Sequence, residues 1–197
     1  MEVPVEYIRG VPDGLRAEAA ELYDMAFGPK LGVAVRSNAD RRSVIERSLD
    51  SGFAFVAICD ERLVGLAGFH TSHGSLTGGL GYKQLVAQLG ILKGNWAALI
   101  FSLYERQPQS GELLMDGIVV HPDMRGRGVG THLLEEVAKF ARQDGYGTVR
   151  LDVIDTNPAA RRLYERNGFV ATKTENFGYL RWLLGFGAST TMTRSVT

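Results

Sequence analysis

Apolar positions recur with two different periods along this chain, and the alternation between them predicts a mixed architecture. Val3 to Ile8 reads as a short first strand. From Asp13, the spacing of Leu15, Ala19, Leu22 and Ala26 predicts a helix through about Phe27, capped by Asp13 and ended by Gly28 and Pro29. Asn38 caps a second predicted helix through Leu49, with Val44, Ile45 and Leu49 inward. Phe53 to Cys59 is apolar on both faces, as a central strand is. Asp60 and Glu61 connect it tightly to a second apolar run, Leu63 to Phe69, which predicts a hairpin.

The pattern then breaks. His70 to Gly111 begins polar and glycine-rich and continues as two apolar helical stretches, roughly 82–92 and 95–106, with Trp96, Leu99, Ile100 and Leu103 at helical spacing. Gln88, Lys93 and Asn95 interrupt the span 85–103, so an integral membrane segment is not expected.

Regular periods return at Leu113 to Val120, a strand, and at about 128–144, a helix with Leu133, Leu134, Val137, Ala138 and Ala141 on its apolar face and Gly145 as its stop. Val149 to Ile154 alternates as a strand, with Arg150 and Asp152 opposite Val149, Leu151 and Val153. Asn157 caps a helix with Pro158 at its first position and Gly168 past its end. Phe169 to Thr172 and Thr191 to Val196 close the pattern as strands. The class is α/β (α+β), with one strand–helix–strand unit at 113–154. No internal repeat is visible, and 197 residues predict a single domain over 1–197, with an insertion at about 70–111.

Composition narrows the function. Lys plus Arg and Asp plus Glu are 22 each, so no global basic field favours nucleic acid. One cysteine, Cys59, excludes an internal disulfide and a multi-cysteine zinc site; its apolar surroundings predict a buried, inert thiol. His70 and His73 stand three apart without further ligands, so no metal is expected; a proton relay is their other reading. His121 and His132 read as structural or surface residues. The opening MEVPVEYIRG carries no secretory pattern, which predicts a cytoplasmic chain.

Glycine is the unusual count, 24 where about 14 is ordinary. The cluster that carries chemistry is Arg125-Gly126-Arg127-Gly128-Val129-Gly130, between a strand and a helix. Glycines there let a ligand approach the backbone. A helix N-terminus offers unpaired N–H groups and a positive partial charge, and the arginines add charge-assisted donors. A phosphate or pyrophosphate is the ligand this loop suits. A dinucleotide fingerprint would need glycine at 131, where Thr131 stands, and a P-loop would need a lysine that is absent.

Around that loop the sequence resembles the GCN5-related N-acetyltransferase (GNAT) superfamily. The family's Arg/Gln-x-x-Gly-x-Gly/Ala motif, after a strand ending in Val-x-Pro, is similar to Ile118 through Gly130 here. A second similar stretch runs from Leu151 to Phe169 and includes Asn157-Pro158-Ala159-Ala160, Leu163-Tyr164 and Gly168-Phe169. Met192-Thr193-Arg194 is also family-like. The likeness is specific over about 111–170, weaker from 1 to 70 and absent over 70–111.

The resemblance implies a twisted mixed six- to seven-stranded sheet flanked by helices, with a helical insertion between strands 3 and 4. Acetyl-CoA, as co-substrate, would lie where the fourth and fifth strands splay apart. It would be held by Ile118, Val119 and Val120, by the loop Arg125, Gly126, Arg127, Gly128, Val129, Gly130 and Thr131, and by Asn157, Ala160 and Tyr164. Backbone groups of Ile118 and Val120 would pair with the pantetheine arm as an added strand does. The amide near Val120 would also hold the carbonyl oxyanion. The same resemblance makes Tyr164 the general acid for the departing sulfur. On the residues alone, Tyr164 also reads as a core aromatic and Asn157 as a plain cap.

The base has two candidates. Asp116 interrupts an apolar strand, where a carboxylate is costly unless paired or solvated, and burial would raise its pKa toward a useful value. Asp152 occupies the position where some protein-N-terminus acetyltransferases of the family carry a glutamate; an outward, solvated residue is its other reading. The expected reaction is direct acetyl transfer to a primary amine of a small molecule or a protein N-terminus. The alternatives are a non-catalytic CoA-binding sensor or scaffold, an acyltransferase using a longer acyl-CoA, and transfer to an oxygen. The aromatic stretch Phe177 to Phe186 and the insertion suggest an apolar wall at the acceptor site, a homodimer interface, or an ordinary core.

Overall fold

A computed structural model describes residues 4–32, 35–78, 82–102, 108–178 and 181–197. The strands are β1 (Glu6–Arg9), β2 (Ala54–Cys59), β3 (Arg62–Thr71), β4 (Gly74–Ser75), β5 (Glu112–Val120), β6 (Thr148–Ile154), β7 (Val170–Asn176) and β8 (Ala188–Ser195). The helices are α1 (Arg16–Leu31), α2 (Asn38–Ser48), α3 (Tyr82–Leu89), α4 (Ile91–Ser102), α5 (Val129–Gln143), α6 (Pro158–Arg166) and the short α7 (Arg181–Leu184). One sheet runs β1-β2-β3-β5-β6-β8-β7, with β4 paired to β3, so it has eight strands rather than six or seven. The extra strand is the two-residue β4, too short to leave a period in the sequence.

All described pairings are antiparallel except β5 with β6, which are joined through α5. The sheet separates two cores. On one face α5 buries Leu133, Leu134, Val137 and Ala141 against Phe69, Leu113, Met115, Val149, Leu151 and Val153. On the other, α1 and α2 bury Leu22, Tyr23 and Ile45 against Val56, Leu66, Leu76 and Val119. Gly65 brings α5 close to β3, because a Cβ there would stand 2.9 Å from Leu133.

Several boundaries moved. Asp13 lies in a single 3-10 turn, and α1 runs through Gly28 and Pro29 to Leu31. Gly28 serves packing instead of termination: a Cβ would stand 2.9 Å from Asp24 Oδ1, where Arg41 of α2 forms a buried ion pair. Ser37, not Asn38, caps α2 by accepting from the Asp40 N–H, while Asn38 Oδ1 accepts from Arg41. The hairpin turn is as expected, with both Asp60 and Glu61 at positive φ. Cys59 ends β2 half-buried and not fully enclosed.

The insertion folds as α3 and α4, hinged at Gly90 with φ +78°. Gly94 permits their close crossing, since a Cβ would meet Val86 Cα at 2.6 Å. Leu85 and Ala97 pack with Val35 and Val44, which docks the pair on α2. Trp96, one of the residues at helical spacing, is 46% exposed. Leu103 and the stretch to 106 lie outside the described residues, as do the start of the first strand at Val3, Tyr179 and Leu180. The side chains of Leu99, Ile100, Leu183 and Leu184 do too. Among the described aromatics of 177–186, Phe177 and Phe186 pack edge to face, whereas Trp182 is exposed.

Candidate active site

The site begins where the sheet opens. β5 and β6 pair over only three rungs, Glu112–Thr148, Leu113–Val149 and Leu114–Arg150. Beyond them, β6 stays paired to β8 as far as Ile154, while Met115 to Val120 has no pairing on its β6 side among the described residues. A bulge accompanies the opening. Phe69 of β3 faces Met115 and Gly68 faces Gly117, so Asp116 is the extra residue. Met115 faces the α5 core, while Asp116 and Gly117 both turn to the α1 side. This bulge was invisible in the alternation of the sequence, because an apolar strand with one aspartate has no period to break.

Asp116 is half-buried as a residue, and its carboxyl end is walled on several sides. A Cβ on Gly68 would stand 2.5 Å from Leu76 and 3.4 Å from the Asp116 Cβ. A Cβ on Gly117 would stand 2.3 Å from Phe27 Cζ. Asp116 Oδ2 is buried and has no hydrogen-bond partner among the described residues. Burial pushes its pKa up to about 6, although the backbone N–H groups of Leu76 and Thr77 pull the other way. A carboxylic group that titrates near neutral pH and has an unpartnered oxygen is equipped to take a proton.

Asp152 lies across the opening in a different environment. It is half-buried, and its Oδ1 accepts the Thr191 hydroxyl at 2.5 Å. Two residues earlier on β6, Arg150 Nη1 lies 3.1 Å from Glu112 Oε2. His70 is on β3, opposite Leu114, while His73 is exposed in the turn beyond. The structure thus places His70 but not His73 on the sheet beside the opening. Among the described residues, no group of three or more His, Cys, Asp or Glu side chains could hold a metal ion. No described helix is long and apolar enough to cross a membrane.

At the far end of β5 the glycine loop has the expected form. Gly126 and Gly128 take φ of +79° and +81°, and Gly128 caps α5. The N–H groups of Gly126 to Thr131 donate to no backbone carbonyl among the described residues; pairing resumes with His132 N–H on Gly128 O. Arg125 and Arg127 are exposed, and Arg125 Nε donates to Val120 O at 3.2 Å. Val129 is buried. Gly130 lies beneath α6, where a Cβ would stand 3.1 Å from Leu163. Six consecutive N–H groups without carbonyl partners at a helix N-terminus make a donor set suited to a diphosphate. The unpaired edge of β5, presented by the backbone of Ile118 and Val120, leads from this loop to Asp116. Val119, expected there, does not belong to it: its side chain enters the α1 core, and strand alternation turns its N–H and C=O toward β3, in register with His121 N–H on Val64 O at 2.8 Å.

α6 supplies the remaining wall. Asn157 caps it, its Oδ1 accepting from the Ala160 N–H at 3.1 Å, and its Nδ2 has no partner among the described residues. Ala160 packs against the α5 core. Tyr164 is buried beside Phe169, burial raises its pKa, and its hydroxyl makes no hydrogen bond among the described residues. Asn167 Nδ2 reaches Thr131 Oγ1 at 3.5 Å and so links α6 to α5. Sequence reasoning missed Asn167 and missed Tyr23 and Phe27 of α1. The two rings lie beside the face assigned from the spacing of Leu15, Ala19, Leu22 and Ala26; α1 is rotated so that Tyr23 is buried, Phe27 half-buried and Ala26 exposed.

The Acetyltransferase (GNAT) family model matches residues 17–169 of this chain. The chain belongs to the GNAT acetyltransferase family. Its relatives include the "Probable N-acetyltransferase camello" of Xenopus tropicalis, 42% identical over 64 residues, covering 32% of this chain and 29% of that protein. Streptothricin acetyltransferase of Streptomyces lavendulae is 35% identical over 74 residues, covering 38% and 36%. Thialysine N-epsilon-acetyltransferase of Mus musculus is 38% identical over 66 residues, covering 34% and 38%. The match thus spans about a third of the length of each relative. The fold is similar to that of an N-acetyltransferase from Staphylococcus aureus, with TM-score 0.66, 16% identity and coverage of 95% and 99%. It also resembles the ribosomal-protein-S18-alanine N-acetyltransferase of Escherichia coli, with TM-score 0.56, 17% identity and coverage of 98% and 95%.

Proposed function

We propose that this chain is an acetyl-CoA-dependent N-acetyltransferase that transfers acetyl directly to a primary amine, on a small molecule or a protein N-terminus. The observation that carries this reading is Asp116 at the opening of β5 and β6, with a buried oxygen that has no partner among the described residues. A protein that only senses or stores CoA has no use for a carboxyl tuned toward neutral pH at that position. The names of the relatives support the reaction class, since two of the three are N-acetyltransferases.

Acetyl-CoA supplies the activated thioester. The chain's own residues do the rest. The N–H groups of Gly126 to Thr131, with Arg125 and Arg127, hold the diphosphate. The free edge of β5 at Ile118 and Val120 aligns the pantetheine arm, and Asn157 Nδ2 and the Ala160 surface hold it from α6. The backbone amide near Val120 faces the carbonyl oxygen as charge develops on it. Asp116 takes the proton from the acceptor ammonium or amine. Tyr164, whose hydroxyl stays protonated because it is buried, donates to the sulfur. Asp152, fixed by Thr191, adds negative charge across the opening and favours a cationic acceptor. Residues 1–197 act as one domain in this reading.

The experiment is a screen of primary amines, amino acids and peptide N-termini with labelled acetyl-CoA, run in parallel with Asp116→Asn. Acetylated amine from the wild type, and a loss of turnover in the variant with acetyl-CoA affinity retained, is the expected result. Full turnover by Asp116→Asn, or transfer only to hydroxyl acceptors, would overturn it.

A further inference from the structure

The bulge that exposes Asp116 also ties it to α1. Because Asp116 and Gly117 turn to the same side of the sheet, whatever rests on Gly117 also walls Asp116. The Phe27 ring rests there, so close that a Cβ on Gly117 would stand 2.3 Å from Cζ and 3.0 Å from Cε1. One helical turn earlier, Tyr23 is buried with its ring centroid 4.5 Å from that of Phe27, tilted by 41°. The charge of Asp116 acts on Tyr23 and adds to the rise in that hydroxyl's pKa, which burial dominates. Leu76, fully buried, closes the β3 side. The helix pattern asks only for apolar side chains at 23 and 27. It does not ask for two rings, nor for a glycine opposite one of them.

We infer that Tyr23 and Phe27 are positioning residues for Asp116: their ring pair, seated on Gly117, keeps water from the carboxyl group that receives the acceptor's proton. This inference rests on the reading of Asp116 as the base. Burial by such a wall penalises the charged carboxylate, which is the direction seen at Asp116. The other groups that bear on Asp116 are few. Tyr23 faces it from α1, and the Leu76 and Thr77 N–H groups from the segment after β4. His70 lies on the same sheet face. From β6, Asp152 stands across the opening, and the Arg150–Glu112 ion pair spans the paired rungs before it. A protonated His70 would hold Asp116 down, and ionised Asp152 would push it up. Each stays in place when Phe27 is changed, so a shift between variants reports the wall.

The test uses the full chain and reads Asp116 in two ways. One is the carboxyl carbon-13 resonance of Asp116, identified by its loss in Asp116→Asn, followed against pH without substrate. The other is the pH profile of kcat/KM for the amine, which reports the free enzyme. Phe27→Leu and Phe27→Ala thin the wall by degrees, while Tyr23→Phe keeps the ring and removes the hydroxyl. In the wild type both midpoints are expected at about 6. Phe27→Ala should lower them by about one unit, a tenfold change in proton affinity. Phe27→Leu should lower them less, and Tyr23→Phe should leave them in place. An Asp116 resonance that titrates unchanged in folded Phe27→Leu and Phe27→Ala would overturn the inference. Full activity of Asp116→Asn would instead remove the base reading beneath it, so the two failures are distinguishable.

Discussion

Asp116 and Asp152 each stand two residues past the same rung of the sheet, the Leu114–Arg150 pair, on strands that have parted. They share a face but not an environment. Asp152 is held by the Thr191 hydroxyl, whereas Asp116 keeps a buried oxygen unpartnered among the described residues, and burial pushes its pKa up to about 6. Environments that separate two carboxyls in this way assign them different tasks. Asp116→Asn is expected to lower kcat by roughly 10²–10⁴-fold, the range for loss of a positioned base. Asp152→Asn should lower it by less than about tenfold and act mainly on KM for the amine. Steady-state kinetics of both variants with one amine checks this.

The same carboxyl has a cost in stability. Its folded pKa lies above the unfolded value of 3.8, so the folded chain binds this proton more tightly. The stabilisation is fully present below about pH 4 and is lost as pH rises through about 6. Asp116→Asn removes that loss. The variant should therefore gain about 1–3 kcal/mol over the wild type at pH 8 and much less at pH 4. Denaturant unfolding at the two pH values measures it.

Tyr164 separates a core ring from a working hydroxyl. Its ring packs on Phe169 and in the α5 core, while its hydroxyl makes no hydrogen bond among the described residues. Tyr164→Phe keeps the packing. It is expected to shift Tm by no more than about 2 °C, because less than about 0.5 kcal/mol is at stake. It should lower kcat by about tenfold or more with KM for acetyl-CoA near its original value. An unchanged kcat would leave Tyr164 as a core residue alone.

The Asp24–Arg41 pair holds α1 against α2, and so holds Tyr23 and Phe27 over the bulge. Arg41 Nη2 donates to Asp24 Oδ2 at 3.0 Å and Nη1 to Val35 O at 3.0 Å, and both side chains are buried. Removing one partner leaves the other's charge buried, at a cost of roughly 3–5 kcal/mol. Arg41→Ala should lose stability near the lower end of that range, because Arg42 lies 3.6 Å from Asp24 and can replace part of the charge. Chemical unfolding of Arg41→Ala and of Arg41→Ala with Asp24→Ala measures the coupling.

How far the sequence led follows from where each signal resides. The Arg125–Gly130 loop, the Asn157 cap with Pro158, and the Asp60-Glu61 turn were legible because local backbone geometry dictates their residue types. The alternation of β6 was legible because one face is core and the other is not. The early stop assigned to α1 failed because Gly28 answers to Asp24 and Arg41, a contact across two helices that leaves no local trace. Ser37 was passed over as a cap because Asn38, next to it, is an equally good capping residue. The bulge at Asp116 and the rings of Tyr23 and Phe27 over Gly117 depend on strand register and helix docking. The exposure of Ile91, Leu92 and Trp182 was likewise a matter of packing, since period alone marks such residues as core.

The central claim is that the free N–H groups after β5 bind the diphosphate of acetyl-CoA and deliver its acyl group to Asp116's side of the opening. Thermal unfolding with acetyl-CoA, with CoA and ATP as controls, tests it most directly. Saturation at about 100 times the dissociation constant adds roughly 2.7 kcal/mol, which for a chain of this size is a rise of about 5–10 °C. Gly126→Ala with Gly128→Ala places side chains at φ of +79° and +81°, where they are disfavoured, and misaligns the loop. The account predicts a rise with acetyl-CoA and CoA, little with ATP, and its loss in the double glycine variant. No rise at millimolar acetyl-CoA, or an equal rise with ATP, would contradict it.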